Sequence, residues 1–413
     1  MRTRSLSALV ACLLTAGCTG TAARHPVAGP STSRSAPVVA PGTPSPTAAL
    51  PTTAPPTTAP SRAVGAPRTT TPAQPPAKPG LVWVQSRVPA GLVRAANRLG
   101  PATSVVEVAN GTVWLREAPG SPLAAPIDVS AADPRRYARA LPAAGSAMSG
   151  LVAGQVLLAS DEAGLRRLRV GSRLTLAGVP LRVKGIVADA LIGRAEMFVT
   201  ASDGRRLGLP PDRFLLVRPQ APRAWSAVAA ALRKATPSGT PVRILAPGKA
   251  RVLREADAVL TPLEEKLRFG EFAAAAQVGG GLSIDPRWLA AHITTADVPI
   301  LGAVTCNKAF LPMLRKALDE LVRQGLQRLV DPADFGGCFN ARLIAGQPGA
   351  SISHHAYGSA LDLNVSANPQ GRPSAQDRRL VRIFARFGLT WGGGWLVPDG
   401  MHFEALGGPV GLP

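Results

Sequence analysis

Aromatic side chains are scarce in this chain of 413 residues, where Phe, Trp and Tyr together make up 4%. Proteins that hold single-stranded nucleic acid need aromatic side chains on which the bases stack. Acidic residues are also few, since 25 Asp and Glu stand against 46 Lys and Arg and leave a formal net charge of +21. The basic residues are scattered, so the sequence predicts no nucleic-acid partner. Two interpretations of the charge stay open: attraction to anionic polymers and lipid head groups, or an arginine-rich composition without a function.

Long apolar runs are also lacking. The apolar stretch from Leu6 to Leu14 follows two arginines and is shorter than the ~20 residues of a membrane-spanning helix, which is typical of a secretory signal peptide. The segment Leu-Thr-Ala-Gly-Cys that ends at Cys18 resembles the lipobox of bacterial lipoproteins. The resemblance implies that residues 1–18 are a lipoprotein-type signal peptide, that Cys18 is lipidated, and that the protein lies outside the cytoplasm, anchored to the cell membrane. The alternative is a plain secretory signal that is cut nearby.

Residues 19–80 consist almost entirely of Pro, Thr, Ala, Ser and Gly. Such a composition buries little apolar surface, and its prolines favour extended conformations. We therefore expect a disordered stalk. At ~3.1 Å per residue, an extended stalk of this length spans well over ~100 Å.

Residues 81–263 are predicted to form a mixed α/β domain. A strand is expected over 152–159, a short helix from Ser160, and a hairpin of strands 174–176 and 181–183 that turns near Gly178. This arrangement resembles the extracytoplasmic domains of macrolide-exporter and cell-division permeases. The resemblance implies a binding or spacer module with an envelope protein as partner, and an unrelated α/β spacer is the alternative.

A helical stretch is expected over 263–276, and the glycines at 279–281 then suggest a domain break. We place a separate domain at 281–413. Its first helix is predicted from leucines at helical spacing between Leu311 and Leu321, with Gly325 as the stop.

The strongest chemical signal is the segment 353–362, Ser-His-His-Ala-Tyr-Gly-Ser-Ala-Leu-Asp, together with 399–404, Asp-Gly-Met-His-Phe-Glu. Alternating polar and apolar residues predict a strand that presents Asp362 on the face opposite its leucine neighbours, and Gly358 lets the preceding turn bring His355 back towards it. His402 is expected on an adjacent strand. Two imidazoles and one carboxylate leave an open fourth position, the layout of a catalytic Zn²⁺ site. Asp399 then stands near enough to act as the base.

These residues resemble the zinc D-alanyl-D-alanine carboxypeptidases and the related L-alanyl-D-glutamate endopeptidases. The family pattern Ser-x-His-x-x-Gly-x-Ala-x-Asp is matched at 353–362, and the closing acid-x-x-His element is matched by Asp399 and His402. The resemblance implies that Arg342 binds substrate or stabilises an oxyanion, while a structural ion pair of Arg342 is the alternative. It covers about a quarter of the chain, from near Cys306 onwards. His354 is expected to be a neighbour of the ligands rather than a fourth ligand.

Cys306 and Cys338 remain after Cys12, which lies in the signal peptide, and Cys18. In an oxidising compartment two remaining cysteines are expected to pair. A disulfide would tie the region of the first helix to the segment that carries Arg342.

The predicted fold class is therefore α+β: a C-terminal zinc peptidase domain with helices packed on an antiparallel sheet, preceded by a separate mixed α/β domain and a disordered stalk. The predicted function is hydrolysis of peptidoglycan stem peptides, of either the D-Ala-D-Ala carboxypeptidase or the L-Ala-D-Glu endopeptidase type. Two alternatives remain: a non-catalytic lipoprotein that binds the cell wall, and an adaptor for a permease in which residues 81–263 carry the main function.

Overall fold

The described part of the chain consists of several stretches. The computed structural model describes residues 78–84, 87–100, 103–116, 121–254, 260–344 and 351–406. The predicted signal peptide, the lipidation of Cys18 and the stalk up to residue 77 lie outside these stretches. Within them, no helix has both the length and the apolar character needed to cross a membrane.

Short runs rich in valine, leucine and isoleucine form a sheet of nine strands. Such residues pack well on a pleated surface, which is why these runs become strands. The strands are β1 (Gly80–Val84), β2 (Thr103–Leu115), β3 (Ala125–Ala132), β4 (Gln155–Ala159), β5 (Arg173–Leu176), β6 (Val179–Val187), β7 (Met197–Thr200), β8 (Phe214–Pro219) and β9 (Val242–Leu245). Their order in the sheet is β5-β6-β4-β7-β3-β2-β8-β1-β9. The β3–β7 and β4–β6 pairs are parallel, and the other neighbours are antiparallel.

Helices cover this sheet. They are α1 (Ala90–Asn97), α2 (Pro134–Ala140), α3 (Gly145–Met148), α4 (Ser160–Leu165), α5 (Ala201–Arg206) and α6 (Trp225–Ala235). Leu92 of α1 and Leu232 of α6 pack with Val82 of β1 in one core, while Tyr137 of α2 packs with Phe198 of β7 in another. The apolar surface of the sheet is thereby buried on both faces.

The remaining described residues form smaller sheets and further helices. Their elements are α7 (Pro262–Phe269), β10 (Ala274–Ala276), β11 (Leu282–Ile284), α8 (Pro286–His292), β12 (Ile293–Val298), β13 (Gly302–Asn307), α9 (Leu311–Arg323), β14 (Phe335–Gly337), α10 (His354–Tyr357), β15 (Ala360–Leu363), α11 (Arg378–Arg386), β16 (Leu389–Trp391) and β17 (His402–Ala405). Strands β14 to β17 form an antiparallel sheet in the order β14-β15-β17-β16. Helices α9 and α11 contribute Leu314, Leu318 and Phe384 to the core beside it. The chain is thus a mixed α+β protein, as predicted.

Several elements agree with the sequence. Strands β5 and β6 form the expected hairpin around Gly178, whose φ is +81°. Helix α9 occupies the predicted range, and β15 carries the predicted alternation. Strand β4 starts only at Gln155, because Gly154 has a φ of +79° and ends the preceding turn.

The expected helix over 263–276 is wrong in its second half. Helix α7 ends at Phe269, because Gly270 adopts a φ of +90° in a backbone position where a Cβ would lie 2.5 Å from the His292 ring. The chain then forms β10, which pairs with β11. Gly279 and Gly280 have φ values of +85° and +80°, so the glycine-rich segment is the turn of a β-hairpin.

The segment around α7 belongs to two cores at once. Leu263 packs with the core of the nine-stranded sheet, whereas Leu260, Phe269 and Phe272 pack with the core of the C-terminal elements. The described residues, from 78 to 406, belong to one compact unit. Of the predicted domain boundaries, residue 263 lies in α7 and residue 281 in the turn before β11, and the division into domains at these residues stays a prediction.

Candidate metal centre

Three side chains converge beside the C-terminal sheet. His355 comes from α10, Asp362 from β15 and His402 from β17, and the antiparallel register places Asp362 directly opposite His402. One nitrogen or oxygen from each residue lies within 4.8 Å of the others. His355 Nε2 is 3.2 Å from His402 Nδ1, and His402 Nδ1 is 3.2 Å from Asp362 Oδ1. The structure thus brings the three predicted ligands together.

Local sequence explains the convergence. The Ser353 hydroxyl accepts a hydrogen bond from the backbone N–H of His355 at 3.3 Å and caps α10. Gly358 ends the helix at a φ of +66°, where a Cβ would lie 2.6 Å from the backbone nitrogen of Asn307. Leu361 and Phe403 are buried in the core, so Asp362 and His402, one residue along each strand, face the other side.

Contacts behind the ligands determine which ring nitrogens point inward. His355 Nδ1 donates a hydrogen bond to the carbonyl oxygen of Cys338 at 2.8 Å, since a carbonyl can only accept. His402 Nε2 lies 3.2 Å from the Glu404 carboxylate, which can likewise only accept when it is ionised. Both protons therefore point outward. In the neutral form of each ring, the remaining unprotonated nitrogen, His355 Nε2 or His402 Nδ1, faces the other ring and Asp362, as metal-binding imidazoles require.

The charges of the centre hold the carboxylates ionised. Burial opposes the charged form of Asp362, but its contacts with the His355 and His402 imidazoles outweigh burial and lower the pKa of Asp362 below its ordinary value. Burial also opposes the charge of Glu404, yet His354 and His402 lower its pKa. Without a metal, burial disfavours a charged His402, but Asp362 and Glu404 raise its pKa to about 10. The two carboxylates therefore stabilise positive charge at His402, and a metal that binds Nδ1 has to displace the proton there.

These residues fit a zinc ion. Two imidazole nitrogens and a carboxylate oxygen are the donor set of a three-ligand zinc site, with one position left for water or substrate. His354 is not part of the set. Its Nδ1 lies 2.8 Å from Glu404, and the carboxylates of Glu404 and Glu265 outweigh burial and raise the pKa of His354 to about 9. His354 is thus a neighbour of the ligands, as the sequence suggested.

Asp399 lies beside the centre. Its backbone oxygen accepts a hydrogen bond from His402 N–H at 3.3 Å, and its Oδ2 accepts one from Gln370 Nε2 at 3.0 Å. Burial and the nearby charge of Asp362 raise the pKa of Asp399, while His402, His355 and Arg342 act in the opposite direction. Its other oxygen, Oδ1, is buried and accepts no hydrogen bond from any described residue. A carboxylate with one fixed and one free oxygen, and a pKa above its ordinary value, is suited to accept a proton.

Arg342 reaches the same centre. It is half-buried, its backbone bridges Gly281, and its backbone oxygen accepts a hydrogen bond from Ser353 N–H at 3.2 Å. Its positive charge lowers the pKa of Asp399, so the two side chains lie within electrostatic reach. Among the described carboxylates, none forms an ion pair with Arg342. The guanidinium is therefore available to a ligand, and the structural ion pair that we considered is not found within the described ranges.

Tryptophans near the centre have different environments. The ring of Trp395 lies 5.1 Å from the ring of His402, so Trp395 borders the centre. Trp391 instead donates a hydrogen bond from Nε1 to the Gly400 carbonyl at 2.8 Å and lies under the Arg378 guanidinium. His292 stacks on Trp288 and is not one of the three converging residues.

The predicted disulfide is present. Cys306 and Cys338 are bonded, with their Cα atoms 5.5 Å apart. A loop of 32 residues closed in this way stabilises a fold by roughly 3 to 4 kcal/mol on a loop-entropy estimate. Because the Cys338 carbonyl accepts from His355, the bond also fixes a point behind the metal ligands.

Sequence reasoning missed the residues behind the ligands. The sequence did contain a signal for Glu404, because it follows His402 by two positions on one strand and therefore shares its face. Glu265 had none. It lies 94 positions from Ser359, whose hydroxyl donates a hydrogen bond to it, and its side chain is fully buried.

Helix α7 joins the metal centre to the nine-stranded sheet. Its Glu265 is bonded to Ser359, whereas the next residue, Lys266, has its Nζ 2.6 Å from Glu196, which precedes β7, and 2.9 Å from Glu271. Lys266 and Glu196 are both buried. Consecutive residues of one helix thus contact the surroundings of the metal centre and a buried carboxylate of the other region.

Comparison with known proteins matches part of this region to a family. Residues 346–405 match the model of a D-alanyl-D-alanine carboxypeptidase family, and this stretch contains His355, Asp362, Asp399 and His402. Over these residues the chain is therefore similar to a peptidase family. No curated protein matches the chain.

Two solved structures have weak similarity to the chain. The extracellular domain of the noncanonical ABC-type transporter YknZ from Gram-positive bacteria is 12% identical, covers 40% of this chain and 98% of its own, and has a TM-score of 0.29. A domain of a putative permease protein from Porphyromonas gingivalis is 16% identical, covers 45% of this chain and 93% of its own, and has a TM-score of 0.27. Similarity at this level carries no argument about this chain, so the permease resemblance of residues 81–263 stays a prediction.

Proposed function

We propose that this protein is a zinc-dependent peptidase that hydrolyses the stem peptides of peptidoglycan, as a D-Ala-D-Ala carboxypeptidase or an L-Ala-D-Glu endopeptidase. The observation that carries the proposal is the convergence of His355 Nε2, His402 Nδ1 and an Asp362 oxygen within 4.8 Å, in a stretch that matches a carboxypeptidase family. The outward protons of the two imidazoles add to this, because they leave the inward nitrogens ready to bind metal.

The residues divide the reaction between them. When bound, zinc polarises the substrate carbonyl and lowers the pKa of water towards ~7. The free Oδ1 of Asp399 takes the proton of the attacking water, and Gln370 holds the other oxygen in place. The water oxygen adds to the carbonyl carbon, the C–N bond breaks, and Asp399 returns the proton to the leaving amine. Arg342 binds a substrate carboxylate or the developing oxyanion.

We further propose that the protein acts outside the cytoplasm. The support is the lipoprotein-type signal at residues 1–18, with Cys18 as the lipidated residue and the following stalk as the reach towards the wall. Peptidoglycan is then the polymer within reach. An envelope protein is the partner that we propose for residues 81–263.

The test uses the full chain loaded with zinc and defined muropeptides, with products identified by mass. We expect release of terminal D-Ala, or cleavage between L-Ala and D-Glu, and its loss in His402→Ala. The matched control is His292→Gln, which changes a histidine outside the cluster of His355, Asp362 and His402 and should retain activity.

A second variant separates the roles of ligand and base. Asp399→Asn should keep zinc but lose a factor of about 10² to 10⁴ in turnover, because the amide cannot accept the proton. Zinc binding by the wild type without cleavage of any stem peptide would instead support the non-catalytic wall-binding alternative. If neither zinc nor wall fragments bind, the adaptor alternative becomes the better account.

A further inference from the structure

A groove lies at the β5 end of the nine-stranded sheet, in the region to which the peptidase proposal assigns no chemistry. It has a volume of about 1250 Å³, and its lining includes the arginines Arg116, Arg166, Arg167, Arg173 and Arg182. All but Arg166 are exposed. Among the described lining residues, Glu271 carries the only carboxylate. The groove is therefore strongly positive.

Internal ion pairs neutralise only the inner wall of the groove. Arg166 is paired with Glu162 and Glu271, and Glu271 is also 2.9 Å from the buried Lys266. By contrast, none of Arg116, Arg167, Arg173 and Arg182 forms an ion pair with a described residue. Their charges face the open part of the groove without a counterion from any described residue.

Two of these arginines are placed against each other. Arg173 of β5 and Arg182 of β6 are direct partners in the antiparallel register, so their side chains leave the hairpin on the same face. Like charges directly opposite on neighbouring strands are destabilising. An anion held between the two guanidinium groups would remove this repulsion.

The backbone conformation of Arg167 also favours an anion site in the groove. It ends α4 with a φ of +53°, a left-handed conformation that helices usually give to glycine at this position. This conformation is sterically unfavourable for arginine, because its Cβ comes too close to the following carbonyl oxygen. The sequence nevertheless places a third guanidinium on the wall of the groove.

We propose that this groove binds a soluble polyanion that carries phosphate groups. A phosphate presents oxygens in several directions and can bridge guanidinium groups that converge from two strands, whereas a carboxylate presents two oxygens in one plane. The groove is larger than a single phosphate group. Its four exposed arginines could contact successive phosphates of a polymer that carries one charge on each repeating unit. The groove is concave, so a flat bilayer would meet only its rim.

The test measures binding of inorganic polyphosphate to the full chain as a function of salt. We expect Arg173→Gln/Arg182→Gln to weaken binding by about a hundredfold, since each of the two charged hydrogen bonds lost costs about a factor of ten. The slope of log affinity against log salt should fall by about one for each arginine removed, as in other polyanion complexes. The matched control is Arg135→Gln/Arg136→Gln, which removes the same charge from exposed positions on α2.

Thermal unfolding distinguishes loss of the site from loss of the fold. Because the substitution removes a like-charge pair, Arg173→Gln/Arg182→Gln should unfold at the same temperature as the wild type or higher. Equal weakening by both double variants would overturn the proposal in favour of attraction by net charge. Preferential binding to vesicles of phosphatidylglycerol, with no binding of polyphosphate, would overturn it in favour of a membrane surface.

Discussion

At the scale of single residues, Glu404 orients an imidazole of the candidate metal centre. Its carboxylate lies 3.2 Å from His402 Nε2 and 2.8 Å from His354 Nδ1, and it is buried. It therefore holds the proton of His402 on the nitrogen that faces away from the other ligands. Removing its charge should leave the ligands present but less well oriented.

We expect Glu404→Gln to bind zinc about 10- to 100-fold more weakly than the wild type, the usual effect of losing an outer partner of a metal ligand. Competition with a chromophoric chelator measures the affinity. Asp319→Asn, the same change on the exposed face of α9, serves as the control. Equal zinc affinity in all three proteins would contradict the orienting role of Glu404.

At the scale of elements, α7 is the connection between the two regions. A capping box forms its first turn, in which the Thr261 hydroxyl accepts from Glu264 N–H and the Glu264 carboxylate accepts from Thr261 N–H. Glu264 also pairs with Arg251 and Arg194 from the first region. The helix thus presents three consecutive charged residues, Glu264, Glu265 and Lys266, each with a partner that is distant in sequence.

Lys266→Met should destabilise the protein by about 3 to 5 kcal/mol, because it leaves the buried carboxylate of Glu196 without its cation. Urea unfolding measures the change. Lys316→Met alters an exposed lysine of α9 and should change stability by less than about 0.5 kcal/mol. Adding Glu196→Gln to Lys266→Met should restore part of the loss. A Lys266→Met protein as stable as the wild type would show that the pair contributes no net stability.

At the scale of the whole molecule, the metal centre depends on residues far outside its motif. Leu260, Phe269, Phe272 and Ala274 belong to the core that also holds Leu361 and Phe403 of the metal-bearing strands. A fragment that begins at Gly281 lacks Leu260, Phe269, Phe272 and Ala274. It also lacks Glu265, the partner of Ser359.

We expect residues 281–413 alone to lack a cooperative unfolding transition and to bind zinc more weakly than residues 71–413. The physical reason is that the fragment exposes the apolar surface that α7 and β10 cover. Calorimetry and zinc titration of the two proteins, at equal concentration and with the disulfide intact, make the comparison. A fragment with a sharp transition and unchanged zinc affinity would instead establish an independent domain.

The features predictable from sequence are those with a short-range signal. Leucine spacing predicted α9, alternation predicted β15, and the motif around His355 and Asp362 predicted the convergence of these residues with His402. All three predictions depend on residues within one or two elements. The end of α7 was missed because the following residues, three alanines in β10, favour helix locally and become a strand only through pairing with β11.

The features that escaped prediction are pairs of residues that are distant along the chain. Lys266 and Glu196 are 70 positions apart, and nothing near either residue indicates the other. The order of the nine strands likewise follows from packing between distant segments, with β9 beside β1 at one edge. Periodicity describes which face of an element is buried and leaves open which element covers it.

If zinc binds as proposed, the pairing of β15 with β17 would also make metal binding a measure of whether the chain has folded correctly. In the native register Asp362 faces His402 and Leu361 faces Phe403. A slip of one residue would turn the imidazole into the core and the phenyl ring to the surface, so a slipped chain would have no ligand set. An ion that recognises only the native register stabilises it by about 2.7 kcal/mol when its free concentration is a hundred times its dissociation constant. The supply of metal around the protein, as much as its amino-acid sequence, would then determine how long a molecule survives proteolysis.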